Sequence, residues 1–273
     1  MKTLSIAFLA ALTIALTGCN TKNKLDTHVT LGLFTPYEYH PEILSGRVIM
    51  IDEKLSTEVM KANHPEEGRI LEPEEISEMG MSPDFTVYFD TTGMVIKVVY
   101  PSGEGPLDKS WLIKNVEGKY IRADWISHDS TNMYDTFTYD ANGNLSEKKA
   151  FLASTNAPLG RETFRYNAKG EVIEHDFYTA ADSLRKKVIM SWDDNNHVTG
   201  TEFYNSSDSM VSSIAYTYND EGFVSNKKIK DDSGNVTRNV NFTYAYDVMG
   251  NWVSKTIDDG VKKYEAVRTY TYR

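Results

Sequence analysis

Apolar positions in this chain fall in short alternating runs, and from about residue 85 the runs keep a period. A turn signal punctuates them. Gly93, Gly118, Gly143, Gly170, Gly222 and Gly250 recur at separations of 25 to 28 residues once Asn196 is counted in the one place without glycine. A fixed spacing of this size marks a repeat architecture. Counting from the glycine as zero, position −3 is always Asp or Asn, from Asp90 to Asp247. Position −4 is aromatic at Phe89, Tyr139, Tyr166, Trp192, Tyr218 and Tyr246, with Lys114 the exception. Position −6 is apolar or aromatic throughout, and so is position +2: Val95, Tyr120, Leu145, Val172, Val198, Val224 and Trp252.

The turn chemistry is local. An Asp or Asn side chain accepts a bond from the backbone N–H two residues on, and a closing glycine supplies the positive φ of a bulged hairpin. Asn196 suits the same role because Asn tolerates the left-handed region. Each unit therefore predicts a β-hairpin with −4 and −6 on one face. Position +7 is apolar in most units (Tyr100, Trp125, Phe177, Phe203, Ile229, Ile257). Its parity is opposite to that of +2. That requires a bulge or corner between them, or a sheet contacted on both faces.

Polar turns also lie between units, at Asn156–Pro158, Ala181–Ser183, Ser207–Ser209, Asp231–Gly234 and Asp258–Gly260. Hairpins joined this way make an antiparallel meander. Two strands per unit give roughly 14 to 16 strands, more than an open sheet carries without curling or splitting. The expected fold is all-β: a coiled antiparallel meander of tandem β-hairpin repeats over residues 85–273. Residues 41–84 break the period and read as a small N-terminal cap. It holds a strand at Gly46–Ile51 and one short helix from Pro73 to Met79, closed by Gly80. The array stops mid-unit at Tyr272, which leaves a strand edge to pair with another chain or with the cap.

Runs such as Tyr139-Asp140-Ala141-Asn142-Gly143-Asn144-Leu145 and Tyr246-Asp247-Val248-Met249-Gly250-Asn251-Trp252 resemble the YD repeats of Rhs-type proteins. The resemblance covers residues 85–273 and is nearest to small repeat lipoproteins of Bacteroidota-type bacteria. It implies a spiralling β-sheet, which in long members closes into a hollow shell. This chain is short and lacks a toxin domain or a self-cleaving segment.

The N-terminus places Lys2 before an apolar run from Leu4 to Leu16, then Leu16-Thr17-Gly18-Cys19. The run is too short for a bilayer span and reads as a signal peptide over residues 1–18. Leu-Thr-Gly-Cys resembles the lipobox of bacterial lipoproteins, which implies that Cys19 carries lipid, palmitate included, and partners the bilayer. Cys19 is the sole cysteine, so the chain has no disulfide. Asn20 in place of Asp favours the outer membrane by analogy with enteric bacteria. Residues 20–26 lack the acidic run of surface-exported lipoproteins, so the periplasmic face is expected. Residues 19–40 form a polar tether.

Loss of residues 1–18 removes Lys2 and no acid, moving the net charge from −10 to −11. That excludes nucleic acid as a natural partner. No two of the six histidines have metal-ligand spacing, and no nucleophile motif stands out, so neither enzyme nor cofactor is expected. Asp140-Ala-Asn142-Gly-Asn144 has a calcium-loop look, but its glycine falls fourth rather than sixth, and the turn role accounts for it. The seventeen Tyr and four Trp serve as cross-strand ladders, as a ligand platform at Tyr139, Tyr166, Trp192, Tyr218 and Tyr246, or as both. Asp182-Ser183 and Asp208-Ser209, in equivalent inter-unit loops, resemble the O-glycosylation signal of Bacteroidota and make Ser183 and Ser209 candidate acceptors.

The leading expectation is a non-enzymatic, membrane-tethered binding or scaffold module for a polysaccharide or an envelope protein. The alternatives are an envelope hydrolase with a site assembled across repeats, and an immunity or accessory protein for an Rhs-type toxin. An outer-membrane β-barrel is disfavoured because Ser146-Glu147-Lys148-Lys149 puts polar residues at both parities.

Overall fold

The computed structural model describes residues 25–26, 43–56, 84–101, 109–261 and 263–273. Strands β1 (Leu25–Asp26) and β2 (Ile43–Leu44) pair with each other. The next nine strands are β3 (Val48–Ser56), β4 (Phe85–Phe89), β5 (Val95–Tyr100), β6 (Lys109–Val116), β7 (Lys119–Ser127), β8 (Ser130–Tyr139), β9 (Leu145–Leu152), β10 (Pro158–Tyr166) and β11 (Val172–Thr179). Seven more follow: β12 (Leu184–Trp192), β13 (Val198–Asn205), β14 (Met210–Tyr218), β15 (Val224–Asp231), β16 (Val236–Tyr246), β17 (Trp252–Asp258) and β18 (Lys263–Tyr272). From β3 to β18 each strand pairs antiparallel with the next, and β18 pairs with β3, closing a barrel of sixteen strands.

This closure corrects the expected fold class. The array is not an open coiled meander of hairpin repeats. Its last strand has no free edge, because β3, drawn from the stretch expected to act as a cap, takes it from Glu265 opposite Ser56 to Tyr272 opposite Val48. Closure is the one arrangement that leaves no strand edge unpaired. Among the described residues there is no helix. The segment Pro73–Met79, expected to be helical, lies outside them, as do Cys19 and the signal peptide.

The corners are built as their side chains require. At Asp140 one carboxylate oxygen accepts from the N–H groups of Asn142 and Asn144, at 2.9 and 2.8 Å. Gly143 closes the turn at φ 88° with its N–H on the Asp140 carbonyl. Asn196 takes φ 63° in the corner without glycine. The Lys114 exception has a cause. That corner is a tighter turn, with Glu117 and Gly118 both at positive φ and Val116 opposite Lys119.

Each corner also resolves the parity conflict. Tyr139 lies opposite Leu145, yet Thr138 lies opposite Glu147, so Ser146 is an extra residue. The same break recurs at Tyr166, Trp192, Tyr218 and Tyr246. A bulge there turns +2, +5 and +7 to one face. That face is the interior. Ile51, Val87, Val95, Val98, Ala123, Val198, Val240 and Ile257 are wholly closed to solvent. The inner wall forms three packed clusters, one over β2 to β7, one over β11 to β15 and one over β16 to β18. Barrels of sixteen strands commonly leave an aqueous channel; this one withdraws its inner side chains from water.

At the seam, Arg268 lies opposite Glu53 and donates to it at 2.6 Å, with both side chains buried. The guanidinium also lies 3.9 Å from the Trp252 ring centroid. Asn251 ties the ends together, accepting from Ser45 N–H and donating to the Ser45 carbonyl and the Tyr272 hydroxyl. Glu53→Gln strands a buried guanidinium, so urea unfolding should show a loss of about 3–5 kcal/mol. Replacing both partners with apolar residues of similar volume should recover most of it.

Candidate functional site

The five rings of the −4 column stand on the inner face, half-buried, at the corner end of the barrel. Their polar tips serve the fold. The Tyr166 and Tyr218 hydroxyls donate to the Leu145 and Val198 carbonyls, at 2.9 and 2.7 Å, and the Trp192 indole donates to Val172 at 2.7 Å. Tyr246 accepts from Asn219, and Tyr139 bonds the Tyr120 backbone. Each ring thus binds one unit to its neighbour. The structure brings the column together as a ladder inside the barrel. Ser183 and Ser209 sit exposed in the loops after β11 and β13.

The inner position +5 escaped the sequence reading because the bulge reverses its expected face. It holds Val98, Ala123, Lys148, His175, Thr201, Lys227 and Lys255. Lys148 and His175 join Asp135 and Glu162 in a cluster on four successive strands, β8 to β11. Lys148 Nζ is 2.7 Å from Glu162 Oε1 and 3.8 Å from Asp135 Oδ2, and His175 Nε2 is 2.9 Å from Glu162 Oε2. Phe164 and Phe177 flank the imidazole at 4.2 and 4.0 Å between centroids. Burial, aided by Lys186, pushes the His175 pKa down to about 3. Its neutral ring therefore donates to the Glu162 carboxylate. Burial raises Asp135 to about 6; Lys148 opposes the shift and Glu162 adds to it. Asp135 Oδ1 has no hydrogen-bond partner. Among the described residues no group of His, Cys, Asp and Glu is placed to hold a metal. The cluster is packed and internally paired, with no nucleophile in it, so its role is structural and not catalytic.

The outward face is polar and charged: Glu147, Lys149, Arg161, Arg165, Glu174, Asp176, Glu202 and Lys228 lie on it. A cleft of about 510 Å³ opens in this wall across β9, β10 and the end of β11. Phe151 and Pro158 give it an apolar side, while Glu147, Lys149, Arg161 and Asp182 give it polar ones. Gly160 forms part of the floor, where a Cβ would meet the Tyr178 carbonyl oxygen at 2.6 Å. Arg161 lies over the Tyr178 ring at 3.8 Å and donates to Asp182. Every charge in the cleft has a partner: Lys149 sits 2.8 Å from Glu147, whose other oxygen is 3.8 Å from Arg161.

No protein-family model and no curated protein matches the chain. Solved structures do. A porin-like protein from Bacteroides uniformis matches with a TM-score of 0.54 at 8% identity, over 82% of this chain and 98% of that one. A porin-like protein from Bacteroides vulgatus matches over the same shares at 13% identity and a TM-score of 0.39. The Tc holotoxin pore of Photorhabdus luminescens matches at 12% identity and 0.26, over 69% of this chain and 11% of that one. Scores below 0.5 carry no argument; the first likeness speaks for the fold. The fold is thus a closed barrel like that of the porin-like protein. This overturns the resemblance to YD repeats of Rhs-type proteins, since a spiralling repeat sheet does not return its last strand to its first.

Two outcomes test the interior. Asp135→Asn removes a carboxylate that ionises only against its buried setting. The folded pKa lies above the unfolded one, so the native acid costs stability that grows between pH 4 and 6 and stays constant above. Urea melts should show the variant gaining roughly 1–3 kcal/mol at pH 7.5 and little at pH 4. Tyr218→Phe loses the bond to Val198 and should cost about 1 kcal/mol.

Proposed function

We propose that this protein is a non-enzymatic binding or scaffold module of the bacterial outer membrane. Lipid on Cys19 tethers it, the barrel faces the periplasm, and a polysaccharide or envelope protein docks on its outer wall. The observation that carries this reading is the placement of polarity. A barrel that crosses a membrane turns an apolar band outward and keeps its lumen polar; here the charges are outside and the apolar clusters inside. The barrel is suited to water on its outer side, with a bilayer reached through the tether. The fold it shares with a porin-like protein of Bacteroides agrees with an envelope setting. The open cleft between Phe151 and Asp182 is the recess a partner would enter.

Fractionation tests the tether: wild type should sediment with outer membranes, and Cys19→Ser should leave them for the soluble periplasm. Planar bilayers test the barrel. Purified protein should give no conductance steps; regular steps would refute the reading.

A further inference from the structure

The cleft is one rung of a series. Arg161 on β10 faces Tyr178 on β11 and bonds Asp182 in the loop beyond; the Tyr178 hydroxyl donates to Asp176 at 3.2 Å. One repeat later, each part recurs 26 residues on. Lys187 on β12 faces Tyr204 on β13 and bonds Asp208, and the Tyr204 hydroxyl donates to Glu202 at 2.7 Å. One repeat earlier the plan holds with neutral parts. Tyr134 on β8 faces Phe151 on β9, stacked at 5.2 Å, and its hydroxyl donates to Asn156 at 2.9 Å. Phe151, Tyr178 and Tyr204 therefore stand in one outward row, a ring on every second strand. Strands lie 4.7–4.9 Å apart, so successive rings are spaced by about 9.5 Å.

We propose that this row binds a linear, uncharged glycan running across the strands. The inference rests on the binding-module reading and names its ligand class. Three observations select it. The ring spacing equals the advance of two residues in an extended 1,4-linked chain, so alternate sugars meet equivalent rings. Each ring lies beside a cation and a carboxylate or amide, which supply donors and acceptors to hydroxyl groups. Those charges are already compensated in pairs, so a charged ligand would have to break an ion pair, whereas hydroxyls add bonds to groups already in place. The 510 Å³ cleft between the Phe151 and Tyr178 rungs seats the first sugars.

The test is calorimetric titration of the full barrel with cello-, xylo-, manno- and laminari-oligosaccharides, from disaccharide to octasaccharide. The expected result is saturable binding of at least one series, tightening with length until three rungs are spanned and then level. Phe151→Ala or Tyr178→Ala should weaken it about tenfold or more. Tyr204→Ala should weaken only the longer oligomers. Tyr88→Ala, an outward ring away from the row, should change neither binding nor the circular dichroism spectrum. The inference is overturned if no series binds, if a disaccharide binds as tightly as an octasaccharide, or if Tyr178→Ala binds unchanged. An envelope protein captured by wild type and lost on Arg161→Ala, with no glycan bound, would sink this inference and leave the binding-module reading standing.

Discussion

Closure is the constraint on which the rest of this structure depends. A meander of hairpins satisfies its inner strands and leaves two edges, and an unpaired edge is a template for association. Here both edges are spent on each other. The backbone ladder between β3 and β18 does the pairing, and the Glu53–Arg268 contact holds its middle. A buried ion pair is poor evidence of net stability, because desolvation offsets the attraction. Its value here is register. A one-residue slip would put Arg268 and Glu53 on opposite faces and turn the apolar set of β18 outward. Asn251 adds a second lock at the corner end, clasping Ser45 and Tyr272.

The bulge beside each corner then sets what faces where. One extra residue after position +2 reverses parity, so the odd-looking +2, +5, +7 pattern becomes one inner face. From that follow both working surfaces. Inside, the −4 rings and the +5 residues pack against one another and bind successive units. Outside, the complementary set is left to water, and the repeat prints the same ring, cation and acceptor on the wall three times. The interior is specialised for cohesion and the exterior for contact.

Much of this was legible in the sequence. The Asp-to-Gly corners are local chemistry, and each appears where the spacing puts it. The strand at Gly46–Ile51 was visible, but its destination was not: β3 carries no corner signal, and nothing local reports that it meets β18 some two hundred residues away. The polar runs at both parities argued against a membrane barrel, and the outer wall agrees. They did not argue against a closed barrel in water, which is the alternative the reading left out. The Tyr178 and Tyr204 rungs escaped notice because they lie at +8, a position that takes Ile126, Lys230 and Asp258 in other units.

Hydrogen exchange along the seam tests the central claim most directly. The amides of β3 and β18 that face each other should exchange as slowly as those of β12 to β14 in the middle of the array. Fast exchange at β3 and β18 beside slow exchange at β12 to β14 would mean that the sheet is open, and the account of closure would fall.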